Sequence, residues 1–381
     1  MKLAKYILLS VVTFLVIACT NNSSTSLEEY NIELYKPTYA EGFKILKADN
    51  KVSTIIEVKN PWQGAKNVAT RLFIARDGES APQGFDGQII SSDAGRIVCM
   101  SSTQIAMLDA VKCADRVVGV SGIDYISNEY ITSHKTSISD VGYEGNINYE
   151  LLLSLNADLV LIYGLNGAST MESKLSELDI PYAYIGEYLE ESPLGKAEWM
   201  VAVGEIVGKR EEAEKHFLAI PKRYNELKAI ASKIDASSKP KVMINTLYGD
   251  SWVMAPAGSY VAQLIADAGG DYIYSANNKT TRSESIDIEE AYLMASKADL
   301  WINLGMLNSL ADLKSQFPKF ADVPCVVRGE VYNSNKKLTP SGGNDYWESG
   351  VVNPDIVLRD LITIFHPELA SDSLIYYKKL K

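Results

Sequence analysis

The 381-residue sequence predicts an α/β protein with two Rossmann-like lobes, each built on a central parallel sheet, joined by a long rigid helix and preceded by a small N-terminal β appendage. Three observations lead there. From Arg96 onward, short apolar strands alternate with capped helical segments, the pattern of parallel sheets covered by helices. The order strand, helix, strand, then helix, Ala-Asp-Leu, strand occurs twice, with Ala157-Asp158-Leu159 and Ala298-Asp299-Leu300 at matching points. Between the copies, Lys209 to Ile234 carries Phe217, Ile220, Tyr224, Leu227 and Ile230 at helical spacing.

Taken in order, residues 1–18 have the form of a lipoprotein signal peptide. Lys2 and Lys5 precede the apolar run Tyr6 to Ile17, which is shorter than the roughly 20 residues a spanning helix needs. Leu15-Val16-Ile17-Ala18-Cys19 resembles a lipobox, which makes Cys19 the expected lipidation site and residues 19–26 a flexible tether. In the β appendage, 27–95, Val52 to Val58 and Arg71 to Ala75 read as strands, separated by Asn60-Pro61 and followed by the stretch Gly78 to Gly87.

The N-terminal lobe, 96–208, opens with the strand Arg96 to Met100 and a helix capped by Ser101-Ser102-Thr103. The strand Asp115 to Val120, a helix capped by Asn148 and the strand Ala157 to Ile162 follow; Ser192 to Val207 reads as one helix. The interlobe helix spans 209–236, with Pro221 as an expected kink. The C-terminal lobe, 237–381, has the strand Lys241 to Leu247, a helix capped by Ser259 and the strand Asp271 to Tyr274. A capping box, Asp287 with Glu290, then opens the helix leading to Ala298 to Asn303.

Composition excludes several classes. Of 37 basic residues, Lys2 and Lys5 lie in the signal; the remaining 35 against 48 acidic ones give a net charge of −13, which opposes nucleic-acid binding. Cys99, Cys113 and Cys325 are an odd number without CxxC spacing, and His134, His216 and His366 are widely separated, so neither a disulfide framework nor a metal site is expected. GxGxxG after a strand, the P-loop and the GxSxG elbow are all missing from the sequence, and the pair Asp345/Glu348 is of an ordinary surface kind; no cofactor and no catalysis are expected.

Arg96-Ile97-Val98-Cys99-Met100-Ser101-Ser102, followed by Ala114-Asp115-Arg116-Val117-Val118-Gly119-Val120-Ser121, resembles the opening of the periplasmic-binding proteins for ferric siderophores, haem and cobalamin. Pro193-Leu194-Gly195-Lys196-Ala197-Glu198-Trp199 with Gly208-Lys209 is similar to that family's entry to its interlobe helix. Gly342-Gly343-Asn344-Asp345-Tyr346-Trp347-Glu348-Ser349-Gly350 resembles a lipoprotein subgroup found in Bacteroides-type bacteria. The resemblance implies a monomeric, lipid-anchored substrate-binding protein that delivers a metal chelate to the permease of an ABC importer. A ferric siderophore-like chelate is the first expectation, a corrinoid the second and haem the third. It also implies acidic docking residues, for which Asp109, Glu289 and Glu290 are the candidates, although the expected N-lobe position holds Ala106. In that subgroup surface export goes with acidic residues after the lipidated cysteine. Thr20-Asn21-Asn22-Ser23 has none, which favours the periplasmic face of a membrane over a surface-exposed capture lipoprotein.

Ligands of open α/β sheets bind beyond the carboxyl ends of the strands. That rule selects Ser101, Ser102, Thr103, Ser121, Tyr125, Tyr163, Asn166, Glu187 and Tyr188 from the first lobe, and Tyr248, Trp252, Asn303, Tyr346 and Trp347 from the second. Tyrosine and tryptophan give flat apolar area with a polar handle, suited to a conjugated or macrocyclic ligand. Lys279, Arg282 and Arg328 are available to an anionic chelate, whereas a tyrosine-lined cleft without a basic cluster suits a neutral corrinoid equally.

Overall fold

A computed structural model describes residues 25–165, 167–249, 251–274, 283–370 and 373–381. Cys19, the signal sequence, Asn166, Lys279 and Arg282 lie outside the described residues.

The first sheet contains β1 (Ile32–Tyr35), β2 (Phe43–Lys47), β3 (Thr54–Lys59), β4 (Ala69–Ile74) and β5 (Gln88–Ile90), in that spatial order, antiparallel except for the β4–β5 pair. Alternation explains its place. Ile55 and Phe73 turn to a small outer cluster with Tyr30, while Phe43, Ile45, Ile56, Val58, Leu72 and Ile74 join the main core. A sheet apolar on both faces must be covered on both, so this element is fused to the first lobe.

Three buried carboxyl groups of that lobe make the join. Glu198 accepts from Tyr35 Oη, Thr38 N, Tyr39 N and Ala40 N at 2.7–2.8 Å. Glu190 accepts from Glu41 N, Gly42 N and Trp199 Nε1. Glu205 takes Thr54 Oγ1 at 2.6 Å and Arg76 at 2.7 Å.

The first lobe holds β6 (Ile97–Cys99), β7 (Val117–Val120), β8 (Ser139–Asp140), β11 (Leu159–Ile162) and β12 (Tyr182–Tyr184) in the all-parallel order β12-β11-β6-β7-β8, with a short hairpin of β9 (Gly142–Tyr143) and β10 (Asn146–Ile147) at its side. In the second lobe, β13 (Lys241–Ile244), β16 (Asp271–Tyr272), β18 (Leu300–Ile302), β19 (Val331–Asn333) and β20 (Lys378–Lys379) form the order β16-β13-β18-β19-β20; only the edge strand β20 is antiparallel. A separate antiparallel sheet of β14 (Leu247–Tyr248), β15 (Ser251–Met254) and β17 (Glu284–Ile286) flanks it. The strand expected over Lys241 to Leu247 therefore ends at Ile244, where Asn245 takes left-handed backbone (φ 63°) and turns the chain into that hairpin.

The expected helix Ser192 to Val207 is two pieces, Pro193–Glu198 and Met200–Ile206, meeting at Trp199. The interlobe helix is Arg210–Ala231, about 33 Å long at 1.5 Å per residue. Pro221 lies inside it, unbroken, between two differently docked halves. Phe217 packs on Tyr39 on one side; beyond Pro221, Tyr224 Oη bonds Asp267 Oδ2 (2.9 Å) and Arg223 bonds Asp355 (2.5 Å) on the other. One helix thus braces the N-terminal sheet region against the second lobe.

Candidate ligand-binding cleft

In a parallel sheet the helix that follows each strand begins at the strand's carboxyl end. After β6 that end is Ser101, the N-cap of helix Ser102–Ala110; Gln104 completes a capping box with it. After β12 it is the buried Glu187. Thr103 Oγ1 donates to Glu187 Oε1 at 2.5 Å, and Lys196 Nζ donates to the Glu187 carbonyl at 3.1 Å while lying 4.8 Å from the centre of the Tyr260 ring. Burial raises the Glu187 carboxyl pKa against the pull of Lys196 and Thr103, and lowers that of Lys196 against the pull of Glu187 and Glu190.

The facing wall comes from the second lobe. Trp347 is 51 % exposed, with Tyr346 edge-on to it at 4.8 Å and Tyr260 at 6.5 Å. Leu264, Val351, Pro354 and Val357 complete the apolar side of a cleft of about 360 Å³. Its rim is closed by direct contacts between lobes. Ser127 N donates to Glu348 Oε2 (2.8 Å), Thr339 Oγ1 donates to the Asp124 carbonyl (2.8 Å), and Gly343 lies so close to Tyr125 that a Cβ there would fall 1.8 Å from its carbonyl oxygen.

Of the residues selected from sequence, Ser101, Ser102, Thr103, Glu187, Tyr188, Tyr346 and Trp347 come together in this cleft. Tyr163 stands behind it, edge-on to Tyr188 at 6.3 Å. Tyr125 lies on the seam, and Ser121 closes β7 by donating its N–H to the Cys99 carbonyl. Others lie away from its lining. Trp252 is fully buried among Trp301 and Phe320, its Nε1 bonded to the Ile244 carbonyl, because β15 folds back under the lobe. Asn303 is buried against Tyr377 and lines a different cavity, of about 490 Å³, with Asn245 and Met306. Arg328 is bonded to the Asp299 carbonyl at the amino end of β18, the end away from the cleft. Tyr248 is in β14.

Lys196 and Tyr260 were not anticipated. Lys196 was visible only as one turn on from Pro193, a spacing that puts both on one helix face, and Tyr260 as the residue after the Ser259 cap. Among the described residues no group of three or more His, Cys, Asp or Glu side chains could hold a metal ion, and no helix is long and apolar enough to cross a membrane. Cys99, Cys113 and Cys325 are free and buried, and burial raises their thiol pKa values, that of Cys325 to about 11.

Residues 97–338 match a family model described as periplasmic binding protein. An uncharacterized lipoprotein of Methanocaldococcus jannaschii is 27% identical over 96% of this chain and 93% of its own length. A periplasmic haem-binding protein of Pseudomonas aeruginosa superposes with a TM-score of 0.57 at 16% identity, covering 76% of this chain and 98% of its own. A periplasmic vitamin B12 binding protein of Vibrio cholerae gives 0.50 at 14% identity, over 74% and 99%. At such identities these structures bear on the fold.

Proposed function

The chain belongs to the periplasmic binding protein family, and on that premise we propose that it captures a metal chelate between its lobes and delivers it to the permease of an ABC importer. The observation that carries this reading is the cleft itself, in which an exposed tryptophan with two tyrosines faces hydroxyl groups over a floor that includes the buried Glu187 and Lys196. Flat aromatic area suits the ring or ligand shell of a chelate, and the hydroxyls suit its polar edge. A ferric siderophore-like chelate is the first candidate. A corrinoid is the second, favoured by the burial of Lys196, which lowers its pKa while its ammonium donates to the Glu187 main-chain carbonyl, so that it offers little free positive charge to an anion. The fold shared with a haem-binding and a vitamin B12 binding protein supports this range of ligands.

The lipobox at Cys19 and relatives named as lipoproteins support a lipid anchor and an extracytoplasmic location. The test of binding is a titration followed by tryptophan fluorescence. A coloured chelate entering the cleft quenches the emission of Trp347, and Trp347→Ala weakens binding about tenfold, in keeping with an aromatic anchor. Equal affinity in wild type and variant rejects this cleft as the site.

For docking, the repeated halves point to a different N-lobe residue from Asp109, which sits in the last turn of its helix, away from the cleft. Helices Tyr149–Ser154 and Ile288–Ala295 lead into the equivalent strands β11 and β18, so their amino ends share the cleft side. Each carries an exposed glutamate two residues after its cap: Glu150 after Asn148 and Glu289 after Asp287. We propose these as the permease contacts, with Glu290 next to the second. Glu150→Arg with Glu289→Arg is expected to abolish uptake while leaving ligand affinity within twofold; unchanged uptake removes the assignment.

A further inference from the structure

The family match begins at residue 97, so the N-terminal sheet lies outside it. Most of that sheet is accounted for by its join to the first lobe. The turn between β3 and β4 is not. Asn60 and Asn67 take left-handed backbone (φ 46° and 57°), and Asn60 N donates to the Val68 carbonyl at 2.7 Å, which closes the base of a loop. Within it Pro61 is buried and Trp62 half-buried, although Gln63 and Gly64 beside them are exposed.

What covers Pro61 and Trp62 is the cleft side of the first lobe. The Trp62 ring lies 5.3 Å from that of Tyr184, and Trp62 Cβ would be 2.9 Å from a Cβ on Gly164. Gln63 N donates to the Gly164 carbonyl at 3.2 Å. The same carbonyl accepts from Tyr188 Oη at 2.6 Å, and that hydroxyl also lies 3.5 Å from the Pro61 carbonyl. Tyr188 lines the cleft. At the far end of the segment, Ser169 N donates to Tyr184 Oη at 2.7 Å, so the ring that Trp62 backs also holds the chain there. The backbone leaving β11 is therefore gripped at Gly164 from two directions, once by a cleft residue and once by the N-terminal sheet.

We propose that the turn Pro61–Gln63 is a positioning element of the ligand cleft, fixing the chain at Gly164 and Ser169 together with the hydroxyl of Tyr188. The proposal rests on the reading of the cleft as the binding site. It gives the N-terminal sheet a part in ligand recognition: the cleft is set by two lobes and one loop from outside them. Gly164 fits the arrangement, because a Cβ there would fall 2.3 Å from the Gly167 carbonyl oxygen and 2.9 Å from Trp62 Cβ. Removing the Trp62 ring frees Tyr184 and widens the space over Gly164, and binding then has to bear the cost of reordering the segment.

The test uses the whole chain and compares wild type, Trp62→Ala, Trp62→Phe and, as a control on the edge strand β5, Ile89→Ala. Hydrogen exchange is read by segment, and affinity is measured for haemin, cyanocobalamin and a ferric tris-catecholate. In Trp62→Ala, exchange over 163–169 is expected to rise at least tenfold with the lobe cores unchanged. Affinity for whichever compound wild type binds best is expected to fall at least fivefold. Trp62→Phe restores both to within twofold, and Ile89→Ala alters neither. Unchanged exchange over 163–169 overturns the proposal, as does an equal rise throughout the first lobe, which marks Trp62 as a stability residue only. If wild type binds none of the compounds, the cleft reading fails, and exchange over 163–169 still decides whether the turn positions that segment.

Discussion

Replacing Glu198 by alanine is expected to destabilise the protein by about 4 kcal/mol and to loosen the N-terminal sheet before the lobes unfold. The carboxyl group is fully buried and accepts four hydrogen bonds, three of them from consecutive backbone N–H groups at Thr38, Tyr39 and Ala40. Alanine leaves those donors without an acceptor, and a buried amide left unpaired costs about 1–3 kcal/mol. Water reaching the new space recovers part of the loss, which is why the expected total is below the sum over donors. Urea unfolding followed by tryptophan fluorescence measures the change. A loss below about 1 kcal/mol would mean that the chain at 38–40 finds other acceptors and that the join is looser than the hydrogen bonds imply.

Glu348→Gln is expected to stabilise the protein at pH 8 and to have no such effect at pH 5. Glu348 is 2 % exposed and holds Ser127 N across the lobe seam; burial, assisted by the nearby Asp345, raises its pKa to about 7. A carboxyl whose folded pKa lies above its unfolded value contributes its full stability below the unfolded value, and loses it as pH rises through about 7. Wild type should therefore weaken between pH 5 and 8 by an amount on the order of 3 kcal/mol at most. The amide, which cannot ionise and can still accept from Ser127, should remove that slope. Melting temperatures at half-unit pH steps give the comparison; identical slopes would show that Glu348 does not titrate in this range.

Local signals were legible in the sequence. Ser101, Asn148, Ser259 and Asp287 each cap the helix expected of them, because a cap depends on the three residues that follow it. The parallel order of strands followed from the repeated alternation, and the long helix from its apolar spacing. Trp252 follows a strand in sequence, whereas the left-handed turn at Asn245 sends the chain back and the ring is fully buried. Glu198 and Glu205 look like solvated helix charges in the sequence; the N-terminal groups they bond are more than 100 residues away, and the helical pattern around them does not reveal those partners. Lys196 was obscure for the same reason, since its burial depends on Tyr260 from the other lobe.

Binding of a metal chelate between the lobes of the folded chain is tested by thermal melting of the chain from Thr20 onward against ferric chelates, haemin, cyanocobalamin and cobinamide. A ligand that binds only the folded state at a hundred times its Kd adds about 2.7 kcal/mol. One chemical class is expected to raise the melting temperature by about 4 °C, increasing with concentration, and Trp347→Ala, at tenfold weaker binding, to cut that rise to about half at the same ligand concentration. A folded protein whose melting temperature responds to none of these compounds would contradict chelate binding between the lobes.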